Sequence, residues 1–429
     1  MRSRNSSRLP ASFHLWWAVS TLGAAADSML AFALIWIATG HGPGAVALVS
    51  TLSVLPRIVL LLFGGVLGDR HGPRSMLVAT AGAQTVAVIL LATLNGGAPG
   101  VAALATTAAV IAVISAFQQP AAIVYPRLLL RDDDQLPRAL ARISGSIHAA
   151  RILGVASGGL VITGWSLHVA LVANGFIAAC MITALLVLRP HTPVAPTAPG
   201  GQGGSIWTAL REGIRSAHEL RIWPFLLAVA LLCAAVLPVV AVVLPSTARA
   251  NGWSATQASL LESAWAAGML AVTLLISFTG TTTRQILALT GGLIVTALAL
   301  VALALPITAP LAMAASVILG AGTALFTTHI APALLRLAPV GQMTRFQSLM
   351  AVVQLGPPAL VNAPFAALSG SGRSGVAMLL AAGMAGLAAL CIALTMRNRR
   401  GIDLDLRGSP PPDIARDDMG SSVPPQHSP

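Results

Sequence analysis

The sequence predicts an all-α membrane protein with twelve transmembrane helices in two six-helix bundles. Three observations predict it. Hydrophobic residues make up 56% of the 429 residues and charged residues only 9%, with a mean hydropathy of +0.82, well outside the range of soluble domains. The apolar residues gather in runs of about 20, long enough to cross a bilayer core. The runs also divide six and six about one long polar segment.

Each span must be helical, because hydrocarbon cannot satisfy free backbone N–H and C=O groups. The spans fall at 13–38, 45–68, 75–94, 101–125, 140–163 and 166–188, then at 223–248, 255–279, 285–305, 309–332, 346–369 and 374–396. This makes 13–188 the N-terminal bundle and 223–396 the C-terminal bundle, with 1–12 ahead of them. The N-terminus has some features of a signal peptide, with Arg2, Arg4 and Arg8 before an apolar stretch that reaches Ala24-Ala25-Ala26. That stretch continues from Phe13 to Ile37, which predicts a retained first span. The linker, 189–222, opens with a flexible Pro/Gly-rich piece from Pro190 to Gly204. It continues as Trp207–Arg215, patterned as an amphipathic helix on a membrane surface. The tail, 397–429, is rich in Pro, Ser and Asp and predicted to be disordered.

All 25 basic residues are arginine, and they orient the spans. With the N-terminus inside, the outer loops hold only Arg249 and Arg373, while Arg57 and Arg151 lie within spans. The rest face the cytoplasm, a strong positive-inside signal that predicts cytoplasmic N- and C-termini. Because the net charge of +12 is dispersed over membrane loops, it does not predict nucleic-acid binding. Cys180, Cys233 and Cys391 each sit in an apolar run, as packed thiols do, and no Cys/His spacing reads as a metal site. There is no G-x-x-x-x-G-K-[ST], G-x-S-x-G or H-E-x-x-H, so neither an ATP-hydrolysing engine nor a catalytic set is expected.

Between spans two and three runs Gly65-Val66-Leu67-Gly68-Asp69-Arg70-His71-Gly72-Pro73-Arg74. Its glycines permit tight turns and close helix approach, and Asp69 at a helix end can accept backbone N–H groups or pair with an arginine. This segment resembles the G-x-x-x-D-R-x-G-R-[RK] signature of major facilitator superfamily transporters, with Pro73 in place of the first basic residue. The resemblance implies that Gly65, Gly68, Asp69, Arg70, Gly72 and Arg74 form a conformational latch. It also implies the fold of that family, two six-helix halves in parallel repeat. The second-half counterpart, Gly280-Thr281-Thr282-Thr283-Arg284, keeps one glycine and one arginine. Leu55-Pro56-Arg57, Phe117-Gln118-Gln119-Pro120 and Leu210-Arg211-Glu212-Gly213 look like the drug-efflux and siderophore-exporter branch. Gly154-Val155-Ala156-Ser157-Gly158-Gly159 resembles the antiporter motif of that branch, with Val155 in place of its proline. Gly154, Gly158 and Gly159 are expected to let a neighbouring helix approach closely.

Polar residues within spans are costly and mark function or pairing. Asp27 in span one and Arg57 in span two lie equally far in sequence from the turn near Gly42. They therefore reach similar depth, about 22 Å from that turn at 1.5 Å per residue. Asp27 is either a protonatable carboxylate tuned by Arg57 or half of a permanent buried ion pair. Glu262 and His329 are the further proton-coupling candidates, each with a plainer reading: Glu262 reaches water near a helix end, and His329 is a satisfied interior histidine. Arg151, beside His148, either faces the cavity and binds substrate or snorkels. Gln118, Gln119, Gln354 and Asn362 are candidate hydrogen-bonding residues of the cavity.

These features lead to an expected secondary exporter of amphipathic small molecules such as drugs, antibiotics or siderophore-like metabolites, driven by proton antiport. Proton-coupled import of an organic solute is the alternative, and a transport-inactive receptor or scaffold is a third. The chain is expected to need no cofactor beyond the proton motive force. It should work as a monomer in a bacterial inner membrane, an origin suggested by arginine without lysine amid abundant Ala, Gly and Pro.

Overall fold

A computed structural model of the chain describes residues 9–94, 99–130, 135–188, 215, 222–279, 285–337 and 343–398; for 61–71, 94, 137, 141, 331–337, 343–348, 351, 396 and 398 it describes the backbone alone. The described residues form helices and short turns, with no strand among them. The first half contains α1 (Ala11–Gly40), α2 (Pro43–His71), α3 (Pro73–Leu94), α4 (Val101–Val124), α5 (Leu136–Gly164) and α6 (Leu167–Val187). In the second half are α7 (Trp223–Pro238), α8 (Leu244–Ala250), α9 (Ala255–Thr279), α10 (Gln285–Ala304), α11 (Ala309–Leu337), α12 (Met343–Gly370) and α13 (Ser374–Asn398). Together α7 and α8 make the seventh span.

Among the described residues eleven segments are long and apolar enough to cross a bilayer. Helix α12, 28 residues long, completes the twelve. With an even number of crossings, α1 begins and α13 ends on the same face, here the terminal face; the opposite one is the far face. The helices run a few residues past the apolar runs because their ends lie in the polar interface.

Prolines set the departures from straight helix. Pro126, following α4, coincides with a 3₁₀ turn, Tyr125–Leu129. Between α7 and α8 the chain takes a π turn, Val239–Val243, in which Leu244 N–H donates to the Val239 carbonyl. Pro245 next to it has no N–H to give and its ring crowds the preceding turn, so the wider register relieves it. At the charged turn Gly72 has φ +77°, a conformation that glycine adopts without strain.

Within each half the helices interlock closely, α1 on α5, α2 on α4 and α3 on α6 in the first, α9 and α10 on α11 in the second. The halves meet through α2 with α12, α5 with α9, and α1 with α8. Glycines allow this approach. A side chain at Gly154 or Gly158 would strike the α1 backbone at Ala25 or Met29, and one at Gly159 would strike Ser259 of α9. The expected small-residue motif therefore packs against two helices, one in each half.

Candidate transport site

The site is a polar layer at mid-depth in the first half. Asp27 projects from α1, Gln84 from α3 and Asn174 from α6. Gln84 Nε2 donates to Asp27 Oδ1 at 2.9 Å and to Asn174 Oδ1 at 3.0 Å, and Asn174 Nδ2 donates to Asp27 Oδ1 at 3.0 Å. Three helices are tied by one carboxylate and two amides, a closed set of the kind that burial demands. Apolar cores lie on either side, one around Leu30, Val88 and Leu171 and one around Phe13, Leu77 and Leu185.

A cavity of about 470 Å³ runs from this layer toward the terminal face. Asp27, Arg57, Gln84 and Asn174 stand at its deep end, with Gln118 and Gln119 along α4. Trp16, Leu77, Ile123, Ile147 and Met181 supply much of its apolar wall. The volume lies in the range of small-molecule sites, which are mostly apolar with a few placed polar groups.

Several sequence expectations change here. Arg57 is not bound to Asp27: no N–O contact within 4.0 Å joins them, though each feels the other's charge. Instead, the amides of Gln84 and Asn174 hold Asp27. Glu262 does not simply reach water, because its Oε1 lies 3.6 Å from Arg151 Nη2, pairing α5 with α9 across the two halves. The Arg151 guanidinium also sits over the Trp265 ring, 5.1 Å from its centroid. Asn362 is buried outside the cavity, its Nδ2 donating to the Ser50 carbonyl at 3.5 Å between α12 and α2. His329 is buried with Nδ1 2.8 Å from the Leu325 carbonyl of its own helix. Gln354 is exposed on α12. The charged groups around Asp27 are Arg57 on α2 and, coupled to Arg57, Arg151 with its neighbour His148 on α5.

Of the latch residues, Gly72 and Arg74 are fully described, and the side chains of Asp69 and Arg70 lie outside the described residues, as do the residues around Gly280–Arg284. Arg74 donates to the Leu185 carbonyl at 3.1 and 2.9 Å and to that of Leu186 at 3.2 Å. It places a cation on the C-terminal end of α6, where the helix dipole favours one.

The far face carries a seam between the halves that sequence reasoning missed. Arg249 on α8 donates from Nε to Thr39 Oγ1 at 2.6 Å and from Nη2 to the Trp36 carbonyl at 3.0 Å, with its guanidinium 4.4 Å from the Trp36 ring centroid. Gly40 lies against its guanidinium. Thr163 and Thr256 meet at 3.0 Å, and Ser263 donates to the Ile152 carbonyl at 3.1 Å. The hydrogen bonds Thr163–Thr256, Arg249–Thr39, Arg249–Trp36, Ser263–Ile152 and Asn362–Ser50 join the halves from mid-depth to the far face. The molecule is thus closed on the far side, and its cavity faces the terminal side. Two signals pointed this way: Arg249 breaks the arginine asymmetry, and Gln84 and Asn174 are amides deep in apolar spans.

The fold, the two-half seam and the charged turn agree with sequence comparison. A profile of the Major Facilitator Superfamily matches residues 16–362. The chain belongs to that superfamily. No curated protein matches it in sequence. Among solved structures it is similar to the nucleoside transporter NupG, with TM-score 0.71 at 12% identity over 90% of this chain and 100% of that one. It is also similar to a POT family transporter in complex with 5-aminolevulinic acid, with TM-score 0.69 at 12% identity over 91% and 96%. At such identities the likeness establishes the fold. A superfamily member with this fold is a multi-pass membrane transporter of the secondary type, not an enzyme.

Proposed function

We propose that this chain is a proton-driven exporter of amphipathic small molecules, working as a monomer in a bacterial inner membrane with both termini in the cytoplasm. The observation that carries the reading is Asp27 at the deep end of a largely apolar cavity open toward the terminal face. The arginine asymmetry supports a cytoplasmic terminal face, so the cavity would load from the cytoplasm or inner leaflet. A carboxylate at mid-depth changes charge on protonation and can bias one arrangement of the halves over another. Asp27 accepts a proton in one state and gives it up in the other, while the halves rock about the cavity. Opening toward the far side requires the Arg249 clasp and the Arg151–Glu262 pair to part.

Movement of a cationic dye in inverted vesicles tests this, with Asp27→Asn alongside. The asparagine keeps an Oδ1 to accept from Gln84 and Asn174, so it removes charge while sparing the hydrogen bonds. Expected is dye accumulation that a protonophore abolishes and that falls to background in the variant, with expression and Tm near wild type. Proton-driven depletion of an organic solute from the same vesicles would instead indicate uptake. Intact proton-driven transport in Asp27→Asn would end the coupling role.

A further inference from the structure

The deep end of the cavity holds two opposite charges, Asp27 and Arg57, that make no contact within 4.0 Å. Arg57 makes no hydrogen bond or ion pair among the described residues, and its Nε is buried without a partner. The nearby acidic groups are committed elsewhere: Asp27 Oδ1 takes two amide donors, and Glu262 is spent on Arg151. Arg57 feels the charge of Asp27 and, less strongly, that of Arg151, with neither Asp27 nor Glu262 in contact with its guanidinium. A guanidinium at mid-membrane with no contacting acid is costly, and its planar fork suits a carboxylate. Asp27, across the same cavity, suits an ammonium. Both lie against one continuous apolar wall that includes Ile123, Ile147 and Met181.

We infer that the cavity takes a zwitterionic amphipathic molecule, its carboxylate on Arg57, its ammonium toward Asp27 and its apolar body along α4, α5 and α6. The inference rests on the proposed transport site and names its substrate class. It also suits antiport, because a substrate ammonium and a proton compete for the same carboxylate. A purely cationic or purely anionic molecule matches only one of the two charges and binds more weakly.

Equilibrium binding to purified protein in lipid nanodiscs tests this without any gradient, so its failure is separate from a failure of proton-driven export. The probes are Nε-dansyl-lysine, its methyl ester and its Nα-acetyl derivative, which share one fluorescent body and differ in charge. Fluorescence anisotropy should show the zwitterion binding at least about tenfold tighter than either derivative, a step of about 1.4 kcal/mol per tenfold. Arg57→Gln should erase the preference for the free acid over the ester and leave the preference for the free amine. Asp27→Asn should do the reverse. Equal binding of all three probes, no binding of dansyl-lysine by folded protein, or loss of both preferences together in either variant would overturn the assignment.

Discussion

The two halves share a helix plan and differ in what they enclose. In the first, Asp27, Gln84 and Asn174 split the interior into two apolar cores with a cavity opening between them. In the second, one apolar core around Val240, Leu293, Leu319 and Phe326 runs through and takes in Phe32, Trp36 and Val155 of the first. Span seven, the counterpart of α1, carries Val239-Val240-Ala241-Val242-Val243 at mid-depth, and its only charged residue is Arg249 at the far end. Where α3 places Gln84, α10 places Thr296, which bonds back to the Gly292 carbonyl of its own helix at 2.9 Å. Glycine notches close the second half: Gly320 meets the α9 backbone at Trp265, and Gly322 meets Thr296 of α10. Among the described residues, the layer of Asp27, Gln84 and Asn174 and the cavity it borders lie in the first half, and the second half packs against it through close helix contacts.

The largest effect should come from breaking the packed half. Gly320→Leu forces α9 and α11 apart and should cost about 3 kcal/mol or more, read as lost expression or a lowered Tm. Gly23→Leu, by contrast, fills cavity space where nothing lies within 4 Å of a built Cβ. It should keep Tm near wild type while blocking probe binding. Equal damage from both would dissolve the contrast.

Next comes the ion pair that joins the halves. Glu262→Gln strands Arg151, whose side chain is 43% exposed against 11% for Glu262. The expected cost to the far-closed arrangement is about 1–2 kcal/mol, between the values for surface and buried pairs. The double change with Arg151→Gln should recover part of it, as a double-mutant cycle on the population of that arrangement would register.

Arg249→Ala removes two hydrogen bonds and a ring contact on the far face. It should shift the balance toward far-side opening by about 1–2 kcal/mol. Spin labels at His41 and Ser371, on turns of opposite halves, should show a longer distance population. Cys180, Cys233 and Cys391 must first be replaced, because all three are free thiols.

The smallest effect belongs to Asn362→Ala. Its bond to Ser50 is long at 3.5 Å, so about 0.5 kcal/mol is expected, a shift near the resolution of the same distance measurement.

Much of this was legible in the chain. Hydropathy set the spans because lipid penalises any unpaired backbone, and a run of about 20 apolar residues has one solution there. The small-residue run Gly154–Gly159 announced close packing, and Asp27 announced itself by its cost. What the sequence could not decide was which helix faces meet. Asp27 and Arg57 share a depth, yet rotation about two helix axes gave Asp27 to the amides of Gln84 and Asn174, distant by 57 and 147 positions. Glu262 and Arg151 lie in different halves, so only assembly could pair them. The chain by itself determined membrane insertion, span count and family. Partner choice among the few buried polar groups, and closure on the far side, came from tertiary packing, because both depend on helix rotation and on how the halves lean, which hydropathy does not encode.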